Sequence, residues 1–217
     1  MSEQNIKFWA EISDKYDSAI DPILGKNIRP KILERLNEEE NMGKLIELGC
    51  GTGYFTKTLA DKSESIISTD ISEKMLSIAR ERLKGFDFQI MDCQDCKFDD
   101  DTFDTAFMGL VLLFADDPLK ALKESRRILR PDGKLIIVDP DISFLSGFGK
   151  LKFMLRALIK YRRKPTTSHI LDQKDILDML DKTGFEVTSK EIIQDESNSS
   201  SVSANYIKAI NKKNGSE

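Results

Sequence analysis

Glu47-Leu48-Gly49-Cys50-Gly51-Thr52-Gly53 is the stretch of this chain whose residue types and spacing could do chemistry. It follows a short apolar run, Lys44-Leu45-Ile46, and precedes a helical pattern that starts near Tyr54. A strand, a glycine loop and a helix are the natural reading. Glycine lets a backbone approach a ligand closely, and a helix start leaves N–H groups without partners. The next acid at the end of an apolar run is Asp70, in Ser65-Ile66-Ile67-Ser68-Thr69-Asp70. A carboxylate at the tip of a second strand can take both hydroxyls of a ribose. Loop and acid together describe a site for an adenosine-containing cofactor. Taken alone, the glycines also suit a plain tight turn, and Asp70 also suits the N-cap of the next helix, although Ser72 is available for that.

Spacing and charge decide between cofactors. The dinucleotide fingerprint is G-x-G-x-x-G. Gly49 and Gly51 fit its first two positions, but Tyr54 stands at the third and Gly53 comes one residue early. Glu47 at the mouth of the loop would repel a pyrophosphate. The same carboxylate suits a ligand carrying an ammonium and a sulfonium, as S-adenosylmethionine does. A nicotinamide-dependent oxidoreductase is therefore disfavoured.

The E-x-G-x-G-x-G of Glu47–Gly53 resembles motif I of the class I S-adenosylmethionine-dependent methyltransferases. Four further segments follow in the family's order: Asp70, Met91-Asp92-Cys93, Phe98 to Asp104, and Leu129-Arg130-Pro131-Asp132-Gly133-Lys134-Leu135. The likeness is strong over residues 40–140 and looser on the flanks. It is greatest to the small-molecule branch that includes the ubiquinone and menaquinone biosynthesis methyltransferases.

The resemblance implies an α/β fold, Rossmann-like and doubly wound. Its seven-stranded sheet would be mostly parallel, end in a C-terminal antiparallel hairpin and follow the strand order 3-2-1-4-5-7-6. S-adenosylmethionine would be the cofactor, met by Glu47 near its methionine end and by the loop residues Gly49, Cys50, Gly51 and Gly53. Asp70 would hold the ribose and Ile71 would pack on adenine. Asp92 and the Cys93 N–H would read the adenine edge, and Gly109 would close the tip of the fourth strand. The N-terminal helix would fold over the cofactor as a lid, with Tyr16 reaching the methionine carboxylate. The implied activity is methyl transfer to a small-molecule or lipid-like acceptor. A non-catalytic S-adenosylmethionine-binding regulator on the same fold is the alternative.

Other residues narrow the chemistry. Gly109-Leu110-Val111-Leu112-Leu113-Phe114 lacks the (Asp/Asn)-Pro-Pro-aromatic sequence of enzymes that methylate adenine N6 or glutamine amides, and it lacks the histidine that relatives often carry there. His169, the only histidine, is a weak candidate for a general base and more simply a structural residue. Cys93-Gln94-Asp95-Cys96 has metal-ligand spacing, but a zinc site needs further ligands and only His169 and Cys50 remain. Small buried thiols are the better reading. Methyl transfer from a sulfonium needs neither metal nor covalent residue; it needs alignment at about 3–3.5 Å and exclusion of water.

These residues need elements to hold them. Apolar periodicity predicts helices over 5–20 and 28–40, with Asp21-Pro22 breaking the first, and then over 54–62, 72–84, 117–129 and 172–183. Strands are expected at 44–48, 65–69, 86–91, 103–108 and 134–138. A hairpin should follow, with strands from 185 and over 202–210 and a polar turn at 195–201. Ser72 is the expected N-cap of its helix, and Gly85 and Gly184 the expected C-terminal stops. One domain should result: a helical lid over 1–40, a cofactor-binding core over 41–140, a basic insert on the substrate side over 141–171, and a C-terminal helix and hairpin over 172–210.

Composition agrees with an enzyme core. With 40% apolar and 32% charged residues in 217, general disorder is excluded. The net charge of −4 leaves no basic footprint for nucleic acid. Lys150–Lys164 is an exception, with seven cations and no acid on an amphipathic pattern. It suits either a solvated helix face or contact with an anionic surface or substrate. No apolar run reaches the roughly 20 residues of a membrane span, no secretory leader is evident, and three cysteines cannot all pair. A cytoplasmic, reduced protein is expected.

Overall fold

A computed structural model of the chain describes residues 1–143, 145–161, 169, 171–195 and 202–212. Five parallel strands form its spine: β1 (Lys44–Leu48), β2 (Ser65–Asp70), β3 (Asp87–Ile90), β4 (Phe103–Gly109) and β5 (Leu129–Asp141). Two further strands, β6 (Phe185–Ile193) and β7 (Ser203–Asn211), pair antiparallel with each other, and β7 pairs antiparallel with β5. The order across the sheet is β3-β2-β1-β4-β5-β7-β6, as the resemblance implied. The central strands read as near-continuous apolar runs because both faces are covered, the expected pattern for a parallel sheet. Leu45, Ile46, Ala106, Phe107, Met108, Leu135, Ile136 and Ile137 are all buried.

Helices cover both faces. In chain order they are α1 (Glu3–Ile12), α2 (Tyr16–Leu24), α3 (Ile28–Asn37), α4 (Thr56–Ala60), α5 (Glu73–Arg82), α6 (Pro118–Ile128), α7 (Gly147–Tyr161) and α8 (Gln173–Lys182). Ser72 caps α5 as expected, its hydroxyl accepting from Met75 N at 3.4 Å. α8 opens with a reciprocal capping box between Asp172 and Asp175. Gly184 has φ +78° just beyond the end of α8.

The structure corrects three local expectations. The first helix does not run to residue 20. It ends at Ile12, a 3₁₀ turn covers Ser13–Lys15, and α2 then carries Pro22 inside it. The Ser13 hydroxyl donates to Ala10 O at 3.1 Å, a local bond that competes with helix continuation. Pro22 lies near the end of α2, where its missing N–H costs a single helical bond. The helix expected over 54–62 shrinks to the five residues of α4, because residues 51–55 turn with the glycine loop. β5 is also longer than expected. It pairs with Phe103 at Leu129 and resumes at Lys134, and residues between these points bulge, with Asp132 at φ +59°. Asp104 braces this corner, accepting from Lys44 N at 2.8 Å and pairing with Arg130 at 2.6 Å.

The hairpin turn at 196–201, the cations Arg162, Arg163 and Lys164 and the tail at 213–217 lie outside the described residues. Leu135, fully buried between β4 and β7, is a clean probe of the sheet core. Leu135→Ala should lower unfolding free energy by about 2–5 kcal/mol with an unchanged m-value in urea, because it leaves a cavity without exposing a partner.

Candidate cofactor site

The strand order reverses direction between β1 and β4, and ligands of such sheets sit beyond the strand tips at that point. A crevice opens there. Its floor is Gly49, Cys50 and Gly51 from the loop after β1, and Asp70 and Ile71 from the tip of β2. Met91 and Cys93 follow β3, and Gly109, Leu110 and Val111 follow β4. Met1, Trp9, Tyr16 and Arg29 from the N-terminal helices, with Phe114, form the opposite wall.

The loop is folded back onto β2. The N–H groups of Gly49 and Cys50 both donate to Thr69 O, at 2.7 and 2.8 Å. Gly51 N donates to Asp70 Oδ2 at 2.9 Å, and Ser72 N donates to Asp70 Oδ1 at 2.8 Å. The reversal puts Gly49 at φ +78°, and a Cβ there would stand 2.4 Å from Val111 Cγ2. Only glycine lets the main chain reach the crevice wall at this point. Burial pushes the Asp70 carboxyl above its ordinary pKa, against the pull of its backbone donors. The cradle therefore offers a bare main chain and one half-buried carboxylate in the lining of the crevice. That fits a nucleoside whose ribose hydroxyls donate and whose sulfonium carries positive charge.

Eight of the residues named from the sequence are brought together in the lining: Tyr16, Gly49, Cys50, Gly51, Asp70, Ile71, Cys93 and Gly109. Three others stand behind it. Glu47 is 1% exposed, and its Oε2 accepts from Thr56 Oγ1 at 2.6 Å and Ser68 Oγ at 2.7 Å. It lies opposite Ser68 in the β1–β2 register, so its carboxylate braces the loop from beneath rather than facing the crevice. Gly53 packs on α5, where an added Cβ would meet Leu83 at 3.2 Å and Ala79 at 3.3 Å. Asp92 pairs with the N-terminal ammonium of Met1 and accepts from Gln94 N at 2.9 Å. Burial would raise its pKa, but the ammonium and the Gln94 donors hold the carboxyl below the ordinary range.

His169 is also outside the lining. Its N–H donates to Leu113 O at 2.7 Å and its ring Nε2 contacts Ala115 O at 3.0 Å. The ring is spent on a carbonyl next to the crevice wall. The three cysteines are free and buried. Burial pushes the Cys96 thiol up to about 12, and those of Cys50 and Cys93 also rise. Among the described residues, no group of three His, Cys, Asp or Glu is placed to hold a metal.

Sequence reasoning missed Arg29. It is 3% exposed and lines the crevice. Its Nε donates to Asp21 Oδ1 at 2.6 Å and its Nη1 to Asp17 Oδ1 at 3.0 Å, while its guanidinium lies 4.0 Å over the Tyr54 ring. The signal was available: Arg29 shares the inward face of α3 with Ile32 and Leu36, three and seven residues further on.

The comparisons with known proteins converge on the same reading. Residues 46–137 match the methyltransferase domain family. An uncharacterised protein of Methanocaldococcus jannaschii is 33% identical over 178 residues, 80% of either chain. The fold and site define a class I S-adenosylmethionine-dependent methyltransferase, and the chain belongs to that family. It is an enzyme, and S-adenosylmethionine is its cofactor. More particularly, it is similar to the demethylmenaquinone methyltransferase of Thermotoga maritima, 29% identical over 205 residues, 84% of this chain and 88% of that one. The fold is shared with a solved S-adenosylmethionine-dependent methyltransferase from the same organism, at TM-score 0.73 and 23% identity over 96% of this chain and all of that one.

Burial raises the Glu47 carboxyl to about 7 from 4.5, only partly opposed by its two hydroxyl donors. In the folded chain it stays protonated where the unfolded chain has already lost the proton. Its stabilisation is complete below pH 4.5, falls as pH rises and is gone above about 7. Glu47→Gln, which keeps the shape without the titration, should flatten that decline. Urea denaturation at pH 5 and pH 8 should show the variant gaining on the parent by on the order of 3 kcal/mol between them.

Proposed function

We propose that this enzyme transfers the methyl group of S-adenosylmethionine to a lipid-like or quinol-like small molecule. The observation that carries the reading is the two-sided crevice. One side is a glycine loop with the Asp70 carboxylate, and the other is mostly apolar, with Arg29 and Tyr16 as its polar members. Trp9 meets the Phe114 ring edge-on at 4.7 Å, and Leu110 and Val111 continue the wall. An aromatic or prenylated acceptor suits such a surface; a polar one would leave groups unpaired there. Demethylmenaquinone methyltransferases among the relatives support the same class.

The residues divide the work by position. Asp70 takes the ribose hydroxyls, and Gly49 to Gly51 present main-chain groups to the methionine end. Tyr16 and Arg29 close over that end from α2 and α3, with Arg29 giving the carboxylate a cation. Ile71 packs against adenine, and the Asp92 region with the Cys93 N–H reads its edge. Glu47 and Gly53 act from behind, fixing the loop. Residues 1–40 serve as a lid that excludes water.

The sulfonium supplies both the methyl and the leaving group, so the protein's part is alignment and desolvation. No histidine, and no carboxylate other than Asp70, lines the crevice among the described residues. The acceptor atom is therefore one already nucleophilic near neutral pH, such as a carbon activated by the acceptor's own ionised hydroxyl. Three free, buried thiols support a reducing compartment such as the cytoplasm.

Asp70→Ala should weaken S-adenosylmethionine binding by roughly tenfold or more in titration calorimetry, since it removes a charge-assisted pair of hydrogen bonds. Equal affinity in parent and variant would sink the assignment of the ribose site. A screen with labelled methyl donor against quinols, phospholipids, thiols and carboxylates tests the acceptor class; labelling only of the polar acceptors would overturn it.

A further inference from the structure

Among the described residues, seven large apolar side chains stand exposed, and six of them lie on α7. They are Phe148, Leu151, Met154, Leu155, Leu158 and Ile159, with Phe148 at 78% and Ile159 at 71% exposure. The helix is held to the body by a different face. Phe153 and Ala157 are half-buried against the core and Tyr161 is buried, its ring edge-on to Phe8 at 5.9 Å. These three follow at intervals of four residues, one stripe of a helix. Lys152, Arg156 and Lys160 form a second stripe at the same interval, and Lys150 adds a fourth cation. α7 contains no acidic residue.

Three faces result: one docked, one apolar and facing water, and one basic and running beside the apolar one. A monomer in water rarely keeps so large an apolar patch without a partner for it. We propose that α7 is an interfacial anchor that lies flat on an anionic lipid bilayer. Phe148, Leu151, Leu155 and Ile159 enter the headgroup–acyl boundary, and Lys152, Arg156 and Lys160 meet lipid phosphates.

Charge selects this occupant. The chain as a whole carries −4, so a basic stripe against an apolar face calls for an apolar surface edged with negative charge. A second copy fits worse. In a two-fold antiparallel pairing of α7 helices, the basic stripe of one copy would meet the same stripe of the other, and like charges repel. No helix among the described residues is long and apolar enough to cross a membrane, so the contact lies on the bilayer rather than through it. α7 packs on α2, whose Tyr16 lines the crevice, so docking would turn the lid side of the site toward the lipid. The inference goes beyond the methyl-transfer reading and stands without it.

The test is flotation of the full chain with vesicles of pure phosphatidylcholine and of equimolar phosphatidylcholine and phosphatidylglycerol. Binding should be confined to the anionic vesicles and should weaken with added salt. The double substitution Leu151→Glu with Leu155→Glu should lower partition by on the order of tenfold or more. Lys152→Glu with Lys160→Glu should do the same and erase the preference for anionic lipid. Both variants change exposed positions, and S-adenosylmethionine affinity by calorimetry should match the parent, which separates failure of this surface from failure of the cofactor site. Absent binding, or equal binding to neutral vesicles, would overturn the proposal. So would a dimer in sedimentation that Leu155→Glu dissociates.

Discussion

The structure of this site depends on one reversal of the main chain. The loop after β1 turns back onto the tip of β2, and two consecutive N–H groups, from Gly49 and Cys50, share the Thr69 carbonyl. The next N–H, from Gly51, goes to the Asp70 side chain. The other Asp70 oxygen takes the N–H of Ser72, whose hydroxyl caps α5. One carboxylate thus fixes both the loop and the helix entry. A half-buried carboxylate is costly to place, and its main-chain donors offset part of that desolvation. The floor of the crevice is therefore fixed by the chain's own hydrogen bonds, and groups held in place in this way lower the cost of binding.

A second carboxylate does for the wall what Asp70 does for the floor. Asp17 on α2 accepts from Arg29 on α3, from Thr52 in the glycine loop and from Arg82 at the end of α5. Burial would raise its pKa, but Arg82 and Arg29 outweigh that and hold the carboxyl below the ordinary range. A partly buried ion pair adds little net stability over an apolar contact; its use here is registry. α2, α3, the loop and α5 meet at a single point, so α2 cannot leave the loop without releasing Thr52 and Arg82 together. Trp9 and Tyr16 ride on that arrangement, with their rings 6.1 Å apart and edge-on.

How much of this the sequence disclosed follows from the kind of interaction involved. β1, β2 and β4 were legible to within a residue because each carries a short apolar centre, Leu45-Ile46, Ile66-Ile67 and Ala106-Phe107-Met108, between polar flanks. Ser72 was legible because capping is a local event, and Asp70 because strand tips and helix starts fix each other. The break at Ser13–Lys15 was not, since apolar spacing continues through it and only a side-chain bond to Ala10 O marks the turn. Pro22 misled for the opposite reason: a strong local breaker was overruled by the burial of Ile20, Ile23 and Leu24 around it. The place of Glu47 depends on the pairing of β1 with β2 and on the hydroxyls of Thr56 and Ser68, which sequence spacing does not reveal. Arg29 is the instructive omission. A charged residue within an apolar helical stripe signals a partner of opposite charge, here Asp17 and Asp21.

The two walls of the crevice also differ in what they ask of the backbone. On the cofactor side, close approach is obtained with glycine, at no steric cost. At the tip of β4 Leu110 sits at φ +63°, a conformation that disfavours a branched side chain, and it is held there by its N–H bond to Val138 O at 2.7 Å. A glycine at this position would adopt the turn freely but would leave the wall without its side chain. Leucine keeps the apolar surface and accepts strain on the order of 1 kcal/mol. That choice makes physical sense only if the surface is needed. Strain at Leu110, edge-on packing of Trp9 against Phe114 and the lack of a histidine in the lining all bear on one point. They support the proposed apolar acceptor, which such a wall would hold and dehydrate without exchanging protons with it.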